Sequence, residues 1–184
     1  QEIADGAQRI DVGARVDAWL NPLDPELYYS LGGSGQIAQG MFAQADGGAL
    51  GVGLGEAMLT SGGAPVLPAA QTDLIYAVVV NELGFVGAIA LLLLYLLFLE
   101  RGLKTAMLAS DPFAKLLATG LTAVFALQVF VIVGGVTRVI PLTGVTLPFV
   151  SYGGSSIVAN FILVALLMIV SDQARRPRDD GGVL

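Results

Sequence analysis

Residues able to do chemistry are few in this chain, and they gather where a polar, glycine-rich segment gives way to lipid-length apolar sequence. The stretch PAAQTDLIY, residues 68–76, places one carboxylate at that boundary: Asp73, directly after Gln71 and Thr72. The next acid is Glu82, inside the apolar run. An ionisable group at a membrane boundary, beside a loop large enough to shape a cavity, is a functional-site candidate by default. Such a carboxylate can take a proton from an attacking hydroxyl. The structural alternative is that Thr72 or Asp73 caps the helix that follows, accepting its first free N–H groups. Local sequence leaves both readings standing.

Composition narrows the chemistry. The 184 residues include no His and no Cys. That removes a Ser-His-Asp triad, a His-based metal site, a His proton shuttle, disulfides and thiol chemistry. Acid–base work must fall to Asp, Glu, Tyr, Lys or Arg. The net charge of −6 argues against nucleic-acid binding. The chain is 55% hydrophobic and 13% charged, where a soluble domain carries about 25% charge. It reads as an all-α, polytopic membrane helix bundle. It begins at Gln1 with no signal peptide, and is expected to be a piece of a longer chain with spans upstream.

The elements that must position Asp73 follow from the hydrophobic pattern. Residues 1–72 are polar and rich in Gly, Asp and Pro, an extracytoplasmic loop region on this reading. Within it, residues 9–20 (RIDVGARVDAWL) and 36–45 (QIAQGMFAQA) have the pattern of short helices, and Trp19 before Asn21-Pro22 suits a membrane interface and a helix stop. The GVGLG cluster at 51–55 lacks the Lys of a phosphate-binding loop and follows no strand, so close backbone approach and tight turns are its expected role. Residues 73–99, 113–137 and 155–171 are the expected spans. They are joined by a cytoplasmic loop at 100–112, which restarts a helix at Ser110-Asp111-Pro112, and by an extracytoplasmic loop at 138–154. Residues 172–184 form a cytoplasmic tail. Orientation rests on Lys and Arg: Arg101, Lys104, Lys115, Arg175, Arg176 and Arg178 lie on one side, and Arg9, Arg15 and Arg138 on the other. Asp73 is therefore expected at the outer leaflet.

Two segments resemble a known family. One is residues 68–77 (PAAQTDLIYA) continuing to 81–87 (NELGFVG); the other is residues 141–156 (PLTGVTLPFVSYGGSS). The PFVSYGGSS string is the more specific. With the QIAQ and GVGLG segments of the outer loop, these look like the SEDS family of shape, elongation, division and sporulation proteins, the RodA, FtsW and SpoVE type. The resemblance covers about residues 30–175, and implies that this piece is the large outer loop and last three spans of a ten-span fold. It departs from the family at Gln71, where His is frequent, at Ala70, where Glu is frequent, and near Thr143, where FtsW-like members often carry Lys. The missing Lys and the RVDAWLNP string favour a RodA-like member.

The resemblance implies a peptidoglycan glycosyltransferase. Such an enzyme polymerises lipid II at the outer face of the cytoplasmic membrane for elongation or division, extends a glycan strand, and works with a class B penicillin-binding protein. The family's proposed catalytic aspartate falls on Asp73. Pyrophosphate is a good leaving group, so one carboxylate base suffices, unlike the acid–base pair of most glycosidases. Free aspartate, with a pKa of about 3.9, is a weak base. Efficient catalysis therefore calls for a recessed cavity. The leaving pyrophosphate needs positive charge; Arg138 is the basic residue of the short outer loop, with interfacial snorkelling as its alternative, and a divalent cation (Mg or Mn) is a second source. Glu82, nine residues on, points to roughly the opposite helix face and reads as an intrabundle hydrogen-bonding group or a substrate contact. Ser151, Tyr152, Gly153, Gly154 and Ser155 are candidates to line the substrate path, or else to cap and admit the third span. Gln71 and Thr72 join the candidate substrate contacts by adjacency. Gln128 and Asn160 are expected to hydrogen-bond between helices. Two other functions compete: a lipid II transporter, and a non-catalytic scaffold for a penicillin-binding protein.

Overall fold

The computed structural model describes residues 12–29, 34–57, 60–61, 64–65, 67 and 70–175. In chain order these form α1 (Val12–Leu20), α2 (Pro25–Tyr28), α3 (Gly35–Gly47), a ribbon of β1 (Thr60–Ser61) and β2 (Ala64–Pro65), and three long helices, α4 (Ile75–Leu108), α5 (Pro112–Val136) and α6 (Gly154–Arg175). The ribbon is antiparallel, with Thr60 opposite Pro65, and too short to add a layer to the helical fold. Residues 9–11 of the first expected helix and the tail from Arg176 lie outside the described residues.

The long helices are apolar enough to cross a membrane, with mean hydropathies of 2.4, 2.3 and 2.2. Each buries a narrow stripe. On α5 it is Ala114, Ala118, Thr122, Phe125, Val129, Ile132 and Val136, the three-and-four spacing of one helical face. Leucines and phenylalanines on the other faces stay exposed, as lipid-facing surface must. Phe125 is the centre of the packing: its ring lies 4.4 Å from that of Phe98 and 6.0 Å from that of Tyr95. Asp111 caps α5 by accepting the Ala114 N–H at 2.9 Å, with Pro112 at the first helical position. The helix restart read at Ser110-Asp111-Pro112 is therefore present.

Two boundaries differ from the hydropathy reading. α4 runs on to Leu108 through residues assigned to a loop, because nothing between Glu100 and Leu108 breaks a helix and Glu100 pairs with Lys104 one turn later. Its unbroken part, residues 85–108, is about 36 Å long, more than a ~30 Å hydrocarbon layer. Likewise α6 continues to Arg175.

α4 is also interrupted near its start. Gly84 has φ 68° and ψ −172°, outside the helical region. The groups released there bond to the glycine-rich segment after α3. Val52 N donates to Asn81 O at 2.9 Å and Gly53 N to Glu82 O at 3.1 Å; Phe85 N donates to Gly48 O at 2.9 Å and Val86 N to Ala49 O at 3.2 Å. A broken helix at membrane depth is tolerated only when its backbone groups are satisfied in this way. Gly51, at φ 80°, approaches so closely that a Cβ would collide with the Glu82 carbonyl. The expected close approach of the GVGLG cluster is thus realised.

The mid-span polar residues behave differently from expectation. Gln128 donates to Thr146 O at 3.0 Å in the α5–α6 loop, and Asn160 donates to Ser156 O at 2.9 Å within its own helix. Neither bridges two helices. Asn81 does tie separate elements, donating to Ala43 O of α3 at 2.7 Å.

The interruption predicts a contrast between two glycines. Gly51→Ala meets both a left-handed backbone and a collision, whereas Gly55→Ala, at φ 78° with open space around it, meets only the former. Gly55→Ala should cost about 1–2 kcal/mol and Gly51→Ala at least about 2 kcal/mol more. Thermal unfolding of the full-length protein in detergent checks the order; equal midpoints would contradict the close packing.

Candidate active site

The turn at residues 70–74 delivers the chain into α4. Leu74 occupies the N-cap position, with no side-chain cap bond. The Asp73 carboxylate forms no hydrogen bond or ion pair among the described residues. It does not cap α4, so the structural alternative for this acid fails.

What holds Asp73 is the backbone on its N-terminal side. Tyr152 N donates to Gln71 O at 2.8 Å. The Ser151 hydroxyl donates to Thr72 O at 2.7 Å and accepts the Leu147 N–H at 2.7 Å. Ser151 is buried, so these bonds are shielded from competing water. The loop that supplies them is itself anchored to all three long helices. Tyr95 of α4 donates to Pro148 O at 2.8 Å, Gln128 of α5 to Thr146 O, and Thr146 to the Ser156 hydroxyl of α6 at 2.7 Å.

The carboxylate lines a cavity of about 200 Å³. Arg15 and Ala18 of α1, Gln36 and Ile37 of α3, and Leu142 and Gly144 of the α5–α6 loop complete its walls. Gly144 adopts φ 71°, and a Cβ on it would stand 3.2 Å from Asp73 Oδ2. Glycine there leaves the carboxylate uncrowded. The Arg15 side chain is exposed, and its guanidinium has no partner among the described residues. The cavity is therefore lined by one residue with an unpaired carboxylate and one with an unpaired guanidinium, groups able to accept a proton and to attract an anion. Among the described residues no three carboxylates gather as a cation-binding group.

The other sequence candidates separate. Gln71, Thr72, Ser151 and Tyr152 meet at the turn, but through Ser151's hydroxyl and backbone groups; Tyr152 is 76% exposed. Gly153 packs against the Thr146 methyl, and Gly154 and Ser155 open α6 at the surface. Glu82 is absent from the cavity wall. Arg138 is absent too. It sits at φ 61° with Nη2 donating to Trp19 O at 2.8 Å while Trp19 Nε1 donates to Arg138 O at 3.0 Å. That reciprocal clasp fastens α1 to the end of α5, and Arg138 does not line the cavity. Sequence reasoning passed over Arg15 and Gly144. Arg15 carried a usable signal, as one of three cations expected on the side of Asp73; a TGV triplet gives none for a glycine beside a carboxylate.

Comparison with known proteins bears on these residues. A family model for FtsW, RodA and SpoVE, described as "Cell cycle protein", matches residues 9–176. The chain is 50% identical over 168 residues to peptidoglycan glycosyltransferase RodA of Mycobacterium tuberculosis, covering 90% of this chain and 34% of that protein. It is 41% identical over 162 residues to stage V sporulation protein E of Bacillus subtilis, covering 88% of this chain and 42% of that protein. The RodA match agrees with the lean drawn from residue 143 and the RVDAWLNP string. Among solved structures, one described as "Structural coordination of polymerization and crosslinking by a peptidoglycan synthase complex" matches with a TM-score of 0.65 at 27% identity, covering 89% of this chain and 42% of that one. This chain spans about a third of the length of the RodA relatives it matches. With a family match over nearly all its length and three helices able to span a bilayer, the chain belongs to the FtsW/RodA/SpoVE family of multi-pass membrane proteins.

Proposed function

We propose that this chain carries the catalytic carboxylate of a peptidoglycan glycosyltransferase that polymerises lipid II at the outer face of the cytoplasmic membrane. The observation that carries the reading is Asp73: uncapped, unpaired and held at the wall of a cavity by the family's most specific motif. The names of the relatives support the reaction. The distribution of Lys and Arg supports an outward-facing site. The synthase complex supports a transpeptidase partner of the class B penicillin-binding type.

The reaction follows from the groups present. The GlcNAc 4-hydroxyl of the acceptor attacks the anomeric carbon of the donor glycan. As the C–O bond forms, its proton passes to an Asp73 carboxylate oxygen. The bond from the anomeric carbon to the pyrophosphate oxygen breaks, and its electron pair leaves with undecaprenyl pyrophosphate. Arg15, lining the same cavity as Asp73, offers a positive charge to that departing anion. Arg138 acts one step removed, holding α1 so that Arg15 stays at the cavity.

Four variants of the full-length protein test this with lipid II in detergent, where sidedness is lost and a transporter alone makes no polymer. Asp73→Asn keeps shape and removes the base, so polymerisation should fall at least about 100-fold with unchanged thermal stability; wild-type polymerisation by this variant would overturn Asp73 as the base, and no polymer from the unsubstituted protein would return the chain to the transporter or scaffold readings. Arg15→Ala should lose roughly 100-fold in rate with little change in stability, whereas Arg138→Ala should lower the unfolding midpoint first. Gly144→Ala, which pushes a methyl toward Asp73 from a left-handed backbone, should lower kcat more than it lowers stability.

A further inference from the structure

A second cluster of unpaired positive charge lies at the opposite end of the long helices. Arg101 of α4 and Arg175 of α6 line a cleft of about 130 Å³ between the two helices. Neither guanidinium has a hydrogen-bond or ion-pair partner among the described residues. The nearest acid in sequence to Arg101, Glu100, is engaged by Lys104. Asp172 is not part of the cleft wall. The Ser171 hydroxyl adds a polar group one turn before Arg175.

The cleft has a polarity gradient along the helix axes. Phe98, Leu167 and Met168 form its wall on the side toward mid-span, and the arginines and Ser171 form the side toward the helix ends. Both helices start at the Asp73 end and run the same way, so the gradient lies along the membrane normal. A free phosphate would leave the apolar wall unused. An apolar helix seated there would bury two guanidiniums while Glu100, the acid nearest Arg101 in sequence, is already engaged by Lys104, which is strongly unfavourable. An amphiphile with an anionic head matches both parts. Guanidiniums bind phosphate oxygens through paired N–H donors, and basic pockets between spanning helices hold anionic head groups.

We infer that the α4–α6 cleft is a binding site for one anionic phospholipid, its phosphodiester held by Arg101 and Arg175 and an acyl chain lying along Phe98, Leu167 and Met168. The site is independent of the cavity at Asp73 and of the reaction proposed there.

Native mass spectrometry of the full-length protein, purified and equilibrated with phosphatidylglycerol, phosphatidylcholine or inorganic phosphate, tests it. Phosphatidylglycerol should be retained about tenfold more than phosphatidylcholine, and phosphate alone should not bind. The Arg101→Gln/Arg175→Gln variant should lose that preference. Arg101→Lys/Arg175→Lys, which keeps the charge without the fork, should retain part of it and guards against a folding defect in the neutral pair. Equal retention of the two lipids would overturn the site, as would an undiminished preference in a folded glutamine variant, or another segment of the full-length chain filling the cleft in its structure.

Discussion

The arrangement depends on one buried hydroxyl. Ser151 donates to the Thr72 carbonyl and accepts the Leu147 N–H, joining the loop between α5 and α6 to the turn that carries Asp73. An aspartate at a helix start ordinarily turns its carboxylate onto the helix's free N–H groups. Here the preceding backbone is fixed from outside, by Ser151 and the Tyr152 N–H, and the carboxylate is left uncommitted. A residue that stabilised its own helix would be a poorer base, because its lone pairs would already be engaged. The loop's grip therefore separates the task of positioning Asp73 from the chemistry available to it.

The remaining polar groups of the bundle extend this constraint. Tyr95, Gln128 and Ser156, one from each long helix, all bond to the same loop. Asn81 and the broken backbone at Gly84 tie α4 to α3, whose residues Gln36 and Ile37 form another wall of the cavity. Arg138 and Trp19 lock α1, which brings Arg15. Hydrogen bonds are scarce in an apolar bundle, since each buried polar group must find a partner. In this one they converge on the place where a carboxylate and a guanidinium are left free.

The long helices were legible because apolar length is a strong signal and Asp111-Pro112 is a strong start. The wide glycine segment was legible as a place of close backbone approach, but not its target. The break at Gly84 sits in an uninterrupted apolar run, and its hydrogen-bond partners lie about thirty residues or more away, at Gly48–Gly53. Local sequence leaned toward capping for Asp73; only the loop at 147–152 leaves its carboxylate free. Gln128 and Asn160 misled because composition says that a mid-span amide needs a partner, not which one. Arg15 and Arg138 lie on the same side of the spans, and their different fates depend on whether the guanidinium meets a main-chain carbonyl or a cavity.

Asp73 as the base is tested most directly by a cryo-EM structure of the full-length protein with lipid II analogues in both substrate positions. An Asp73 carboxylate oxygen is expected about 3 Å from the acceptor's 4-hydroxyl, with the pyrophosphate on the Arg15 side of the cavity and the Ser151–Thr72 bond intact. A sugar bound elsewhere, with Asp73 turned back onto the N–H groups of α4, would contradict that role.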